Sequence, residues 1–237
     1  MNNILLPTDV VGGTFWLLSM AMIGAAGFFF LEKNRMQRHW QPSIALVGVM
    51  LLISAVFYHY AKTMWVNTGT APIILRYVDW VLTHSIQLVL FYLILSATTK
   101  VSSALFWRLL IGSLVMVVGE FLGAAGYMSQ ALGFIIGIVG WLYILGELYM
   151  GEAGKANAAC DDQAVHFAFN GLRLIVTIGW AIYPLGYFIE HLGGGVDVNS
   201  LNIIYNLSDF LNKIIFGFVV YLAAVGAEPK SPNSNKL

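Results

Sequence analysis

The 237-residue sequence has a single cysteine, Cys160, so no intrachain disulfide can form. Charge is equally scarce: only 10% of residues are Asp, Glu, Lys or Arg, twelve of each sign, and the formal net charge is zero. With neither a net positive charge nor a basic stripe, nucleic acid is excluded as a partner. No internal repeat is present, and the one low-complexity stretch is a short polar tail, about 228–237. No set of metal-ligating residues stands out. Cys160 falls in a polar stretch, where it is expected to be a loop residue without a role. What remains is apolar. The chain is 59% hydrophobic with a mean hydropathy of +0.77, the composition of a membrane protein rather than a soluble domain.

A helix needs about 20 mostly apolar residues to cross the hydrocarbon core. Seven stretches qualify: roughly 13–31, 43–64, 73–97, 103–127, 131–150, 168–190 and 200–225. Polar or turn-forming segments separate them, including Glu32 to Pro42, Asn67 to Pro72, Thr98 to Ser103, Gly151 to Asp162 and His191 to Asn199; Tyr127 to Ala131 is the weakest break. Met1 to Asp9 carries no Lys or Arg, so the first span is read as retained rather than as a cleaved signal peptide. The expected fold is all-α, a single seven-transmembrane-helix domain over residues 1–237.

Orientation follows from Lys and Arg. With the N-terminus outside, the cytoplasmic segments hold Lys33, Arg35, Arg38, Lys100, Arg108, Lys155, Arg173, Lys230 and Lys236, and the outer segments only Lys62. Nine against one places the N-terminus outside and the C-terminus in the cytoplasm, in a multi-pass protein of the plasma (inner) membrane.

Ionisable side chains in a bilayer cost a few kcal/mol each, so they need partners or a function. Arg76 and Asp79 fall in the third span, Asp209 and Lys213 in the seventh, and Glu120 in the fourth. Lys213 lies too deep to snorkel, and a desolvated lysine amine forms imines with carbonyl compounds. The charge pattern alone leaves a structural ion pair with Asp209, one turn earlier, equally open. Arg76 and Asp79 share a helix face, with Thr83 one turn on. Asp79 and Asp209 together can face a cation on Lys213, with Arg76 offsetting the surplus negative charge. A four-charge network is costly if it only holds helices together, which favours function.

Arg76-Tyr-Val-Asp79-Trp80-Val-Leu-Thr83 resembles the third-helix signature of microbial rhodopsins, and Asp209-Phe-Leu-Asn-Lys213 resembles their seventh-helix signature. Gly179-Trp180-Ala-Ile-Tyr183-Pro184-Leu-Gly-Tyr is similar to their sixth-helix pocket motif, and the stretch from Tyr205 to Gly217 is particularly like the proteorhodopsin branch. The resemblance runs from Phe15 to about Ala224. It implies all-trans retinal held covalently on Lys213 as a protonated Schiff base. Asp79 would be main counterion and first proton acceptor, Asp209 the second carboxylate, Thr83 a hydrogen-bond partner near Asp79, and Arg76 the closure of the outward half. Trp80, Met116, Trp141, Trp180, Tyr183 and Tyr205 match positions that sandwich the polyene. The chromophore performs the photochemistry, while the protein supplies position and electrostatics.

Several positions depart from that pattern. Pumping relatives carry a carboxylic acid eleven residues after the counterion, nearly three whole turns on and so on the same face. Here that residue is Leu90, which cannot donate a proton. His84-Ser85 replaces a small residue followed by proline, which implies a straighter third helix. Glu120 stands where relatives have a pocket glycine near the ring end of retinal, and a glutamate alone there is expected to stay neutral. A His84–Glu120 hydrogen bond is the sharpest structural expectation. Phe57 occupies the likely place of the family's second-helix histidine, and His59, turned about 200° away, does not substitute for it. Phe134 is expected to close the opening at which some relatives bind a carotenoid, so no antenna is expected.

The resulting expectation is light-driven outward proton transport with a slow cycle in a lipid bilayer. The alternative is a photosensor with little net pumping, which alone would need a transducer protein. A light-gated channel has less support, and the Asp79/Thr83 pair argues against sodium or chloride pumping. Relatives commonly form rings, so a homo-oligomer is expected. Gln87 falls where glutamine accompanies blue rather than green absorption in this family. Gln87→Leu is therefore expected to move the visible band to longer wavelength; a blue shift in the purified variant would contradict this.

Overall fold

The computed structural model describes residues 4–227; the polar tail expected at 228–237 lies outside the described residues. Seven helices are long and apolar enough to cross a membrane: α1 (Val10–Arg35), α2 (Gln41–Thr68), α3 (Ile73–Ser96), α4 (Ser103–Ala124), α5 (Gln130–Ala158), α6 (Gln163–Leu192) and α7 (Val198–Gly226). No strand occurs among the described residues. Each helix packs on the next and α7 returns to α1, closing a ring, while α3 also meets α6 and α7 meets α2.

The helix starts lie in the polar breaks because side chains there cap them. Asp9, Ser102, Ser129, Asp162 and Asp197 accept from backbone amides of the first turns of α1, α4, α5, α6 and α7. At Asp197, outside the spans, bonding to the Ser200 amide at 2.9 Å holds the carboxyl below the usual carboxylate range. Asp9 also accepts from the Trp65 indole at 3.1 Å, tying the start of α1 to the end of α2. Gly69 ends α2 in the left-handed region, with φ 66°.

Several segments differ from the sequence expectation, α6 for one beginning at Gln163 rather than about 168. The last turn of α2 reaches Thr68 rather than about 64. Part of the break from Gly151 to Asp162 is helical, at Glu152–Ala158, because Glu147 accepts from the Glu152 amide at 2.8 Å and restarts the turn. Arg108 clasps the same corner through Glu147 at 3.3 Å and Glu152 at 2.6 Å. Cys160, a loop residue, is buried; its sulfur lies 3.4 Å from both Thr98 Oγ1 and the Asp162 amide.

Polarity is inverted relative to a soluble protein. Leu17, Val56, Ile111, Val139, Ile178 and Leu207 are exposed on the rim, while Asp79, Gln87, Asn206, Asp209, Asn212 and Lys213 are buried. Ser85 leaves α3 an unbroken helix. Phe134 packs against Tyr187 and Phe188, with ring centroids 6.1 and 5.7 Å away.

Close approach of α4 and α5 depends on glycine. A Cβ at Gly133 would fall 2.7 Å from the Gly123 Cα and 3.0 Å from the Gly119 carbonyl oxygen, both backbone atoms that cannot swing aside. Gly133→Val is expected to destabilise the protein by about 1–3 kcal/mol, the usual cost of overpacking. The midpoint of detergent-solubilised denaturation measures this, and an unchanged midpoint would show that the two helices separate freely.

Candidate functional site

Local helix geometry builds the site. α7 is π-helical at Phe210–Ile215, and α6 is π-helical at Ile175–Gly179 and Phe188–Leu192. Such wide turns release backbone carbonyls from regular pairing. The Asn212 carbonyl accepts from Gln87 Nε2 on α3, and the Asn212 side chain donates to the Gly179 carbonyl and the Tyr183 hydroxyl, each at 3.0 Å. Gly179 is required there, since a Cβ would lie 1.9 Å from Asn212 Oδ1. Gln87 and Asn212 thus tie α3, α6 and α7 together beside Lys213.

Lys213 is fully buried and donates to both Asp79 Oδ2 and, at 3.0 Å, Asp209 Oδ2. The two carboxylates are held differently. Asp209 accepts from Tyr58 at 2.6 Å, Tyr183 at 2.7 Å and Trp80 Nε1 at 3.2 Å. Apart from Lys213, Asp79 accepts from one side-chain donor, Ser54 Oγ at 2.7 Å. Thr83 bonds the Asp79 backbone carbonyl at 2.9 Å rather than its carboxylate.

Arg76 forms no ion pair with either carboxylate. Its guanidinium donates to Asn202 Oδ1 at 2.9 Å and Asn206 Oδ1 at 3.2 Å, and lies 5.1 Å from the Tyr205 ring centroid. It therefore offsets the site's negative charge through space, not by contact. Two cavities flank it: one is bordered by Phe57, Tyr58, Asp79 and Asp209, the other by Tyr77, Glu190, His191 and Tyr205. Phe57 borders the counterion cavity without a polar atom, and His59 faces Trp16 instead.

An aromatic cleft adjoins the carboxylates, bordered by Trp80, His84, Met116, Glu120, Trp141, Trp180 and Tyr183, among others. Seven of the residues singled out from the sequence thus share one wall system. Tyr205 is beside it, stacked on Tyr183 at 6.3 Å but bordering the Arg76 cavity. Leu90 lies in the other half of α3, buried in an apolar layer where Phe91 meets Phe169 at 5.3 Å and Phe216 at 6.4 Å.

The expected His84–Glu120 hydrogen bond is not formed. His84 Nδ1 lies 3.0 Å from the Trp80 carbonyl oxygen, one turn back on its own helix, and its Nε2 has no partner. The Glu120 carboxyl packs against Gly137 of α5. Sequence reasoning also missed Ser54, Tyr58, Asn202, Asn206 and Asn212. The spacing of Ser54 and Tyr58, four apart on one face of an apolar span, was the available signal.

A family model described as bacteriorhodopsin-like protein matches residues 10–227. The chain belongs to this family. It is 46% identical over 220 residues to the blue-light absorbing proteorhodopsin of Gamma-proteobacterium Hot 75m4, covering 92% of this chain and 87% of that one. With the green-light absorbing proteorhodopsin of Gamma-proteobacterium EBAC31A08 it shares 42% over 219 residues, covering 92% and 88%. The crystal structure of a blue light-absorbing proteorhodopsin from Med12 superposes with a TM-score of 0.81 at 38% identity, over 92% of this chain and 98% of that one. The protein is thus a multi-pass plasma-membrane rhodopsin and not an enzyme.

The weight of the carboxylate hydrogen bonds is measurable. Tyr58→Phe keeps the ring but removes a donor to a buried charge, a loss of about 1.5–3 kcal/mol in stability. Tyr60→Phe, on the exposed side of the same helix, is expected to stay within about 0.5 kcal/mol of the parent. Equal midpoints for the two variants in thermal denaturation would contradict the assignment.

Proposed function

We propose that Lys213 carries all-trans retinal as a protonated Schiff base and that the protein moves protons outward in the light, with a slow cycle. Family members bind retinal, and the residues present here fit it. The observation that carries the reading is an amine buried between two carboxylates and beside a cleft walled by Trp80, Trp141, Trp180 and Tyr183. Buried indole and imidazole nitrogens without partners, on Trp180 and His84, border the same cleft.

When bound, retinal supplies visible absorption and an isomerisation that re-aims the bond at the Lys213 nitrogen. Asp79 is the acceptor for the proton held there. It has one neutral donor, whereas Asp209 is fixed by three, so Asp209 remains the permanent counter-charge. The Arg76 half, with its two asparagines and two cavities, gives the proton a polar way out, and the charge bias of the loops supports that half as the outer one. The Leu90 half has no acid to return a proton to Lys213, which supports slow reprotonation. A homo-oligomer in the bilayer is part of this proposal.

Leu90 also supports a second reading, a photosensor with little net transport that acts through a transducer protein. Illuminating unbuffered cells separates the two. Acidification of the medium that a protonophore abolishes is the pump result; no net movement with a cycle lasting seconds is the sensor result. Lys213→Ala is expected to abolish the visible band, and its survival would end the retinal reading. Leu90→Glu is expected to speed the last step of the cycle by about 100-fold or more, the contribution of a placed general acid. Added azide, a mobile proton carrier, should accelerate the parent in the same step; flash spectroscopy of parent and variant reads both.

A further inference from the structure

We propose that His84 and Glu120 form a hydroxyl-binding site in the aromatic cleft, a reading that rests on retinal being attached to Lys213. The Trp80 carbonyl can only accept, so His84 Nδ1 carries the hydrogen and Nε2 is a bare acceptor. That nitrogen is buried and has no partner. Glu120 is 6% exposed and makes no hydrogen bond or ion pair among the described residues. With no cation beside it inside a bilayer, its carboxyl is stable as the neutral acid, which carries one O–H donor. Gly137 makes room for it, since a Cβ there would come within 2.3 Å of Oε1.

Both groups border the same cleft, and neither is satisfied by the other. Other polar groups on its walls are committed, Tyr183 to Asp209 and the Trp141 indole to the Val176 carbonyl; the Trp180 indole is one more donor without a partner. An unpaired donor and an unpaired acceptor facing one space call for an occupant that accepts and donates through a single atom. A hydroxyl does this; a carbonyl or an ammonium does not. An aldehyde bound to Lys213 by its carbonyl end would, in the proposed reading, extend its ring end into this aromatic cleft. The hydroxyl comes either from a ring-hydroxylated retinoid or from a trapped water.

The test offers the apoprotein an equimolar mixture of retinal and 3-hydroxyretinal and reads the incorporated ratio after extraction. A ring-hydroxyl site enriches the hydroxylated aldehyde about two- to tenfold, the range of one net hydrogen bond, and His84→Phe or Glu120→Leu returns the ratio to one. For a water site, uptake is equal, and infrared difference spectra of the retinal pigment show an O–H band that shifts in H₂¹⁸O and vanishes in both variants. Where those variants do not fold, His84→Leu and Glu120→Met take their place. Equal uptake without such a band, in a protein that forms a visible pigment, overturns the site alone. No visible band with either aldehyde overturns the Lys213 reading and the site with it.

Discussion

A lysine held between two aspartates in the middle of a bilayer is the interaction on which the rest of this structure depends. Each of those charges costs a few kcal/mol to place there, and mutual attraction offsets the cost only when the remaining lone pairs are also bonded. The fold meets that requirement with hydroxyls and one indole rather than with more charge. Tyr58 and Ser54 come from α2, Trp80 from α3 and Tyr183 from α6, so four helices, with α7, converge on two carboxylates. The π-helical turn at Phe210–Ile215 belongs to the same region, where the Asn212 carbonyl accepts from Gln87 and the Asn212 amide binds α6. Removing the central cation would leave two carboxylates facing each other with nothing to balance them but Arg76, which touches neither.

The two halves of the bundle on either side of Lys213 are unlike. On the Arg76 side lie Asn202, Asn206, Tyr205 and two cavities; on the Leu90 side lie closely packed leucines and phenylalanines. In the first direction Arg76, bonded to Asn206, and Asn202 border open space, whereas in the second Gln87 is bonded to the Asn212 carbonyl and the layer beyond it is apolar. In the proposed pump, asymmetry of this kind would separate the release of a proton from its return. Leu90 is one of the buried apolar residues of that second half.

The architecture was readable in the sequence because hydropathy alone determines which segments leave water. Arg76, Asp79, Asp209 and Lys213 were conspicuous for the same reason, as charges within apolar runs. Their neutral partners were not. A serine or tyrosine in a membrane helix is unremarkable by composition, and although the spacing of Ser54 and Tyr58 puts them on one face, whether that face meets Asp79 is decided by how α2 rotates against α3. Nothing in the sequence hinted at the partners of Arg76, the side chains of Asn202 and Asn206 on α7. The burial of Cys160 was not legible either, because whether a polar loop folds back onto the bundle, as it does here against Thr98, is not set by composition.

His84 shows why the expected bond to Glu120 fails. Thr83, His84 and Ser85 each bond the carbonyl four residues earlier, at Asp79, Trp80 and Val81, over 2.9, 3.0 and 2.7 Å. Back-bonding of this sort satisfies a polar side chain inside its own helix without ordering any other element. A bond across to α4 would have to outweigh that local alternative, and Glu120 is meanwhile drawn towards the space beside Gly137. Imidazole nevertheless has two nitrogens, and the helix can satisfy only one. The other is turned by the first bond into the cleft between Trp80 and Trp180, where no group among the described residues answers it. Local satisfaction of one atom has thus fixed the direction in which the residue remains incomplete.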